Sequence, residues 1–140
     1  MCGIAGIFEL NSPDPSLKNR LEHMRRIISH RGLDDSGVWT HKNYNLGFSH
    51  QRLSIIDLSK NASQPMTDKN NNTIVFNGEI YNYKELIKKH KLKNLKTSSD
   101  TEVLLALYKK IGDNFVKDLN GIFTFLIYNQ KFQQIYIARD

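Results

Sequence analysis

The chain has 140 residues, 39% hydrophobic and 24% charged, enough for one folded domain with a real core and without any apolar run near the roughly 18 residues of a membrane span. Its net charge of +6 invites a nucleic-acid reading, yet six lysines fall in "KELIKKHKLKNLK", which offers no aromatic for base stacking and no arginine for bidentate base contacts. A single cysteine excludes an internal disulfide and a zinc site, no secretory signal opens the chain, and the cytosol is the default compartment.

In chain order, "GIAGIFEL" has the β-branched, aromatic and glycine content of a strand. "NSPDP" is a turn, and Ser16 is placed to cap a helix from about Leu17 to Ser29, with Leu17, Leu21, Met24 and Ile28 as its buried stripe. "HRGLDDSG" breaks that pattern. "GVWTH" and "YNLGFSHQRLSII" read as strands joined at "KN", followed by a long polar loop, "DLSKNASQPMTDKNNN". Strand-like "TIVFN" leads into "GEIYNYKELIKKH", which reads as a turn at its glycine and then a short helix. "SDTEVLLALYKKIG" is a helix with Ser99 and Glu102 as a capping box and Gly112 at its C-cap. "NGIFTFLIYNQKFQQIYIARD" closes the chain as two strands around "NQK". Antiparallel-looking strands with separate helices give an α+β fold in one domain, residues 1–140, and the ending on a hairpin and "ARD" suggests a chain cut short.

Four features carry chemistry. Removal of Met1 would make Cys2 the N-terminal residue, with a thiol and a free α-amine whose reference pKa values lie at about 8.5 and 7.7–8.0. Nucleophile and base would then share one residue; otherwise Cys2 is a small residue of no special role. Arg52 lies inside a strand pattern, where burial needs a partner; the alternative is an edge arginine that snorkels to water. Asn77-Gly78 can present a side-chain amide and a backbone N–H as an oxyanion hole, or can be a plain turn dipeptide. Asp100 sits in the first turn of a helix, which suits an ammonium ligand as well as ordinary helix-start chemistry. Together they describe a ligand. Arg52 would hold a carboxylate, Asp100 an ammonium and Asn77-Gly78 an oxyanion, while Cys2 attacks; an amino acid such as glutamine has that shape.

The set "MCGIAGIF", "HRG-x-DD-x-G", "RLSIIDLS…QPM", "FNGEIYNY-x-EL", "SDTEVLL" and "ARD" resembles class II glutamine amidotransferases across residues 1–140. "RLSIIDLS" makes the resemblance nearest to the N-terminal glutaminase domain of the asparagine synthetase (glutamine-hydrolysing) branch. The resemblance implies an Ntn-hydrolase fold, a four-layer αββα sandwich of two antiparallel sheets, C-terminally truncated here. It implies that Cys2 attacks the glutamine amide, that Arg52 and Asp100 bind the substrate's carboxylate and amine with Glu79 near the amine end, and that Asn77 and Gly78 form the oxyanion hole. Arg31 and Gly32 would support the surroundings of the nucleophile. Leu33 stands where the family usually has proline, which gives up a fixed φ.

The resemblance further implies a synthetase domain beyond this chain, which would use ATP and magnesium, with no cofactor and no metal required by these residues. Glutamine and that domain are the expected partners, a homodimer is a further expectation, and neither nucleic acid nor membrane is expected. Two other readings stand beside it: a glutaminase domain serving a sugar- or polysaccharide-tailoring amidotransferase, and a non-catalytic remnant of the fold.

Overall fold

The structure is a computed structural model that describes residues 2–10 and 13–140; Met1 and the first half of the "NSPDP" turn fall outside them. Among the described residues seven strands form two antiparallel sheets, accompanied by three α-helices. The first sheet has the order β1-β3-β2, from β1 (Gly3–Glu9), β2 (Asp35–Thr40) and β3 (Asn45–Arg52). The second runs β4-β5-β6-β7, from β4 (Met66–Thr67), β5 (Thr73–Ile80), β6 (Gly121–Asn129) and β7 (Gln134–Arg139). No helix among the described residues is long and apolar enough to cross a membrane.

The alternation of side chains dictates the layering. On β3, Leu46 and Phe48 turn toward the second sheet and pack with Val75, Tyr128 and the half-buried Trp39 and Leu126. The intervening Gly47 and Gln51 face α1 (Leu17–Ile27), whose Leu21 side chain lies over Gly47 and whose Arg25 donates to Gln51 at 2.8 Å. On β5 and β6 the opposite parity, Ile74, Phe76, Ile80, Phe123, Phe125 and Ile127, packs against α2 (Tyr83–Lys89), α3 (Asp100–Ile111) and a 3-10 helix at Gly112–Asp118. Helix, sheet, sheet, helices: the α+β fold read from the elements, and the four-layer sandwich implied by the resemblance, are the ones observed.

Local departures have local causes. β3 stops at Arg52 instead of running to Ile56, because its partners end opposite it at Gly3↔Gln51 and Asp35↔Arg52. Gly78 does not start a turn. The ladder to β6 continues through Gly78↔Phe123 and Ile80↔Gly121, and the glycine is needed because φ is +151° and a Cβ would overlap Ile122 O. Ser16 does not cap α1; its hydroxyl donates to the Asp14 carboxylate at 2.7 Å. Half of the capping box forms. Ser99 Oγ accepts from Thr101 N at 3.0 Å, whereas Glu102 reaches back past Ser99 to the N–H groups of Lys96 and Thr97. The long polar loop holds a 3-10 turn at Lys60–Ala62, a cis Gln64–Pro65 peptide and the short β4. The lysines from Lys84 to Lys96 are all exposed, the solvated face that their composition suggests.

Two outcomes test this packing. Leu21 is fully buried between α1 and the first sheet, so Leu21→Ala should lower the unfolding free energy by about 3 kcal/mol in urea titrations. His50 is buried between the sheets with Arg52 and Asp35 as its charged neighbours, and burial pushes its ring down to about 4. The unfolded chain takes up that proton near pH 6.5 while the folded chain resists it, so stability is full above pH 6.5 and falls by about 3 kcal/mol toward pH 4. Urea midpoints across that range should show this slope in the wild type and its loss in His50→Gln.

Candidate active site

Cys2 immediately precedes β1 and is fixed by the far end of β3. Its thiol accepts from Leu53 N at 3.4 Å and donates to Leu53 O at 3.6 Å, while Arg31 Nε donates to Cys2 O at 2.9 Å. The segment after α1 is stitched to the same place. Gln51 Nε2 donates to Gly32 O at 2.7 Å, and Asp34 N to Arg52 O at 3.1 Å. Gly32 has to be glycine here because a Cβ would overlap the Arg52 carbonyl. Arg31 and Gly32 thus brace the nucleophile's backbone and the strand end it rests on. Leu33, by contrast, points to solvent at 83% exposure.

Arg52 is buried rather than snorkelling, at 6% exposure. Its guanidinium donates to Ser59 O at 2.9 Å and to Asp57 O, with the Asp35 carboxylate 3.9 Å away. The loop is wrapped onto the cation by its own carbonyls. Asp57 then fastens it across the pocket: its carboxylate accepts from Ser98 N at 2.8 Å and Ser98 Oγ at 3.1 Å, two residues before Asp100. Hydrogen bonds from Ser59 and then Ser98 hold Asp57 down at about 2. Of the guanidinium's five N–H donors the carbonyls take two, which leaves donors for an anion.

The third wall is the edge of β5. Its even-numbered N–H groups point away from β6, since Phe76 N donates to Gln64 Oε1 at 2.7 Å and Ile80 N to Asp100 Oδ2 at 3.0 Å. Gly78 N lies between them on the same edge, and among the described residues no acceptor takes it. Asp100 itself is 5% exposed, and burial pushes its carboxyl above the usual aspartate range. Asn77 stands on the other face of β5, with its Oδ1 buried and without a partner among the described residues.

Cys2, Arg52, Gly78, Glu79 and Asp100 line one pocket of about 120 Å³, with Leu53, Ile55, Tyr81 and Ile122 exposed around its mouth. The residues named from the sequence therefore meet, with one difference: Asn77 adjoins the pocket without lining it. Chemically the arrangement offers a thiol, a cation, a free backbone N–H and the carboxylates of Glu79 and Asp100 within one small volume. Asp57 and Gln64 also line it and were not foreseen. Their signal was only a polar loop, and which loop residues turn inward depends on Arg52 being buried.

Comparisons with known proteins bear on the family and the fold. Residues 1–140 match the family described as glutamine amidotransferase domain. Over the whole chain the sequence is 41% identical to glutamine-hydrolysing asparagine synthetase 2 of Bacillus subtilis (strain 168) and 35% identical to glutamine-hydrolysing asparagine synthetase B of Escherichia coli (strain K12). The chain spans 19% and 25% of the lengths of those relatives. The fold superimposes on glutamine phosphoribosylpyrophosphate amidotransferase from Bacillus subtilis with a TM-score of 0.73 at 22% identity, covering 98% of this chain and 37% of that one. Two antiparallel sheets flanked by helices, a whole-chain family match and whole-length similarity to these synthetases lead to one assignment: the chain belongs to the glutamine amidotransferase domain family.

Proposed function

We propose that the chain hydrolyses the side-chain amide of glutamine to glutamate and ammonia, with Cys2 as nucleophile once Met1 is removed. The observation that carries this reading is the convergence of Cys2, Arg52, Gly78 and Asp100 on one pocket from separate segments. Arg52 offers its remaining donors to the α-carboxylate, and Asp100, with Glu79 at the rim, receives the α-ammonium. An ammonium also relieves the burial of the Asp100 carboxylate, which gives the site a reason to keep a buried acid.

With the α-amine of Cys2 as base, the thiol proton moves to that amine as Sγ bonds to the amide carbon. The carbonyl oxygen gains charge and turns to Gly78 N–H and the Asn77 amide. Collapse of the tetrahedral intermediate breaks the C–N bond, the amine returns the proton to nitrogen, and ammonia leaves behind a thioester. Water, deprotonated by the same amine, adds to the thioester carbon; glutamate departs and the thiol is restored.

The names of the relatives and the chain's share of their length support a second step: ammonia released here serves a synthetase portion of a longer protein, where ATP and magnesium would be used. Aspartate is the acceptor this reading favours.

A chain that keeps residues ahead of Cys2 should lose at least about 1,000-fold in glutamine hydrolysis, measured as glutamate release, while the processed form is labelled once, at Cys2, by a glutamine-analogue electrophile. Equal activity of the two forms would rule out the α-amine as base. A correctly processed, folded chain that neither hydrolyses nor labels would instead support a non-catalytic remnant. In steady-state assays Asp100→Asn should raise KM about 10- to 100-fold with a smaller change in kcat, as expected for a residue that holds the ammonium end. Arg52→Lys should raise KM at least about 10-fold, because a point charge cannot serve two loop carbonyls and a carboxylate together.

A further inference from the structure

The proposed reaction gives no part to His50 or Gln64, yet these two buried side chains converge on the main-chain groups of one residue, Phe76. His50 Nε2 lies 3.2 Å from Phe76 O, and Gln64 Oε1 accepts from Phe76 N at 2.7 Å. We propose that His50 and Gln64 are positioning residues that grip the main chain at Phe76 and so aim the Asn77 amide and the Gly78 N–H at the oxygen of the tetrahedral intermediate. The inference rests on the glutaminase reading of the pocket and adds the device that holds its oxyanion hole.

The geometry requires such a device. Both polar groups of Phe76 face the open edge of β5, where β4 pairs only with Thr73 and Ile74 and does not reach. Left bare in a buried position, each group would be strongly unfavourable. Two more residues of β4 in the same register would set the Gln64 main chain opposite Phe76 and satisfy both, but a backbone strand would carry the ladder on toward Gly78. Side chains end it instead, one residue short of the oxyanion pair.

The two side chains also come from different bodies. His50 sits at the centre of the first sheet, opposite Ile4 of β1 and Gly37 of β2, two residues from Arg52 and on the same face. Gln64 belongs to the loop that closes over Arg52, and its Nε2 donates onward to Thr101 Oγ1 at 3.2 Å, beside Asp100. The main chain of one residue is thereby a common reference for the strand that leads from the nucleophile, the loop around the cation and the helix that carries the acid. Because Phe76 O accepts, His50 carries its proton on Nε2. Its Nδ1 is buried without a partner among the described residues, so the ring acts as a neutral donor and not as an acid or base. His50 does not line the pocket, and both ends of the Gln64 amide are already bonded.

A loosened grip should spare substrate binding, which depends on Arg52 and Asp100, and slow the covalent step. The test uses the processed chain with glutamine and with the diazoketone analogue of glutamine, which alkylates the thiol with loss of N2. In His50→Leu and Gln64→Met, kcat and the maximal labelling rate should fall about 10- to 100-fold, while KM and the analogue's half-saturation stay within about 3-fold. His50→Gln, which returns an N–H donor near Nε2, should restore kcat to within about 5-fold of wild type. Exchange of the Phe76 amide hydrogen should quicken in Gln64→Met. If these variants lose thermal stability but keep wild-type kcat per folded molecule, the grip is only structural and the proposal falls; should His50→Leu not fold, Gln64→Met and His50→Gln decide alone. Failure of the wild-type chain itself to label or hydrolyse is a separate result that removes the glutaminase reading and this inference with it.

Discussion

The pocket depends on a single burial: a guanidinium at the end of β3 withdrawn from water. A lone buried cation is strongly unfavourable, and lone carbonyl dipoles are the least demanding way to solvate it while leaving it free to meet an anion. Arg52 therefore recruits the main chain of Asp57 and Ser59, and the loop that carries those carbonyls becomes the roof of the site. Had a carboxylate taken the guanidinium directly, the cation would be neutralised and of no use to a substrate. Asp35 stays at 3.9 Å and hydrogen-bonds Ser63 instead.

Closing the loop over Arg52 propagates outward. Asp57 meets Ser98, just before α3; Gln64 meets Phe76 and Thr101; Asp100 then turns from the first turn of α3 to Ile80. Each contact joins elements far apart in sequence, and several use main-chain groups that a regular ladder would have consumed. The irregular part of the fold is thus not filler between strands. It is the layer that converts two ordinary sheets and their helices into a polar cavity.

The strands and helices of an α+β fold were legible in composition and spacing, while the two-sheet sandwich was implied by the family resemblance; the faces on which Leu46 and Phe48 oppose Gly47 and Gln51, or Ile74 and Phe76 oppose Val75, come from the structure. Cys2, Arg52, Gly78 and Asp100 were legible as well, because each is unusual for its place in the pattern. The ends of elements were less so. Nothing local to "RLSII" says that its partner strands run out opposite Gln51 and Arg52, and Asn-Gly signals a turn with the same letters that here continue a ladder against Ile122. Asp57, Gln64 and His50 were passed over for a further reason. Their roles are bonds to main-chain groups, and a main-chain group leaves no mark on the sequence.

The edge of β5 has one more consequence, for the company the molecule keeps. A strand edge that is extended and unpaired is a template on which a foreign strand can grow, and an active site that needs a free backbone N–H must leave part of such an edge uncovered. Here Gln64 and Asp100 occupy the neighbouring rungs on either side of Gly78, so an incoming peptide finds room for one hydrogen bond but not for a register of them. The groups that shape the pocket also guard it against adhesion, so that a gap wide enough for an oxygen atom is too narrow for a strand.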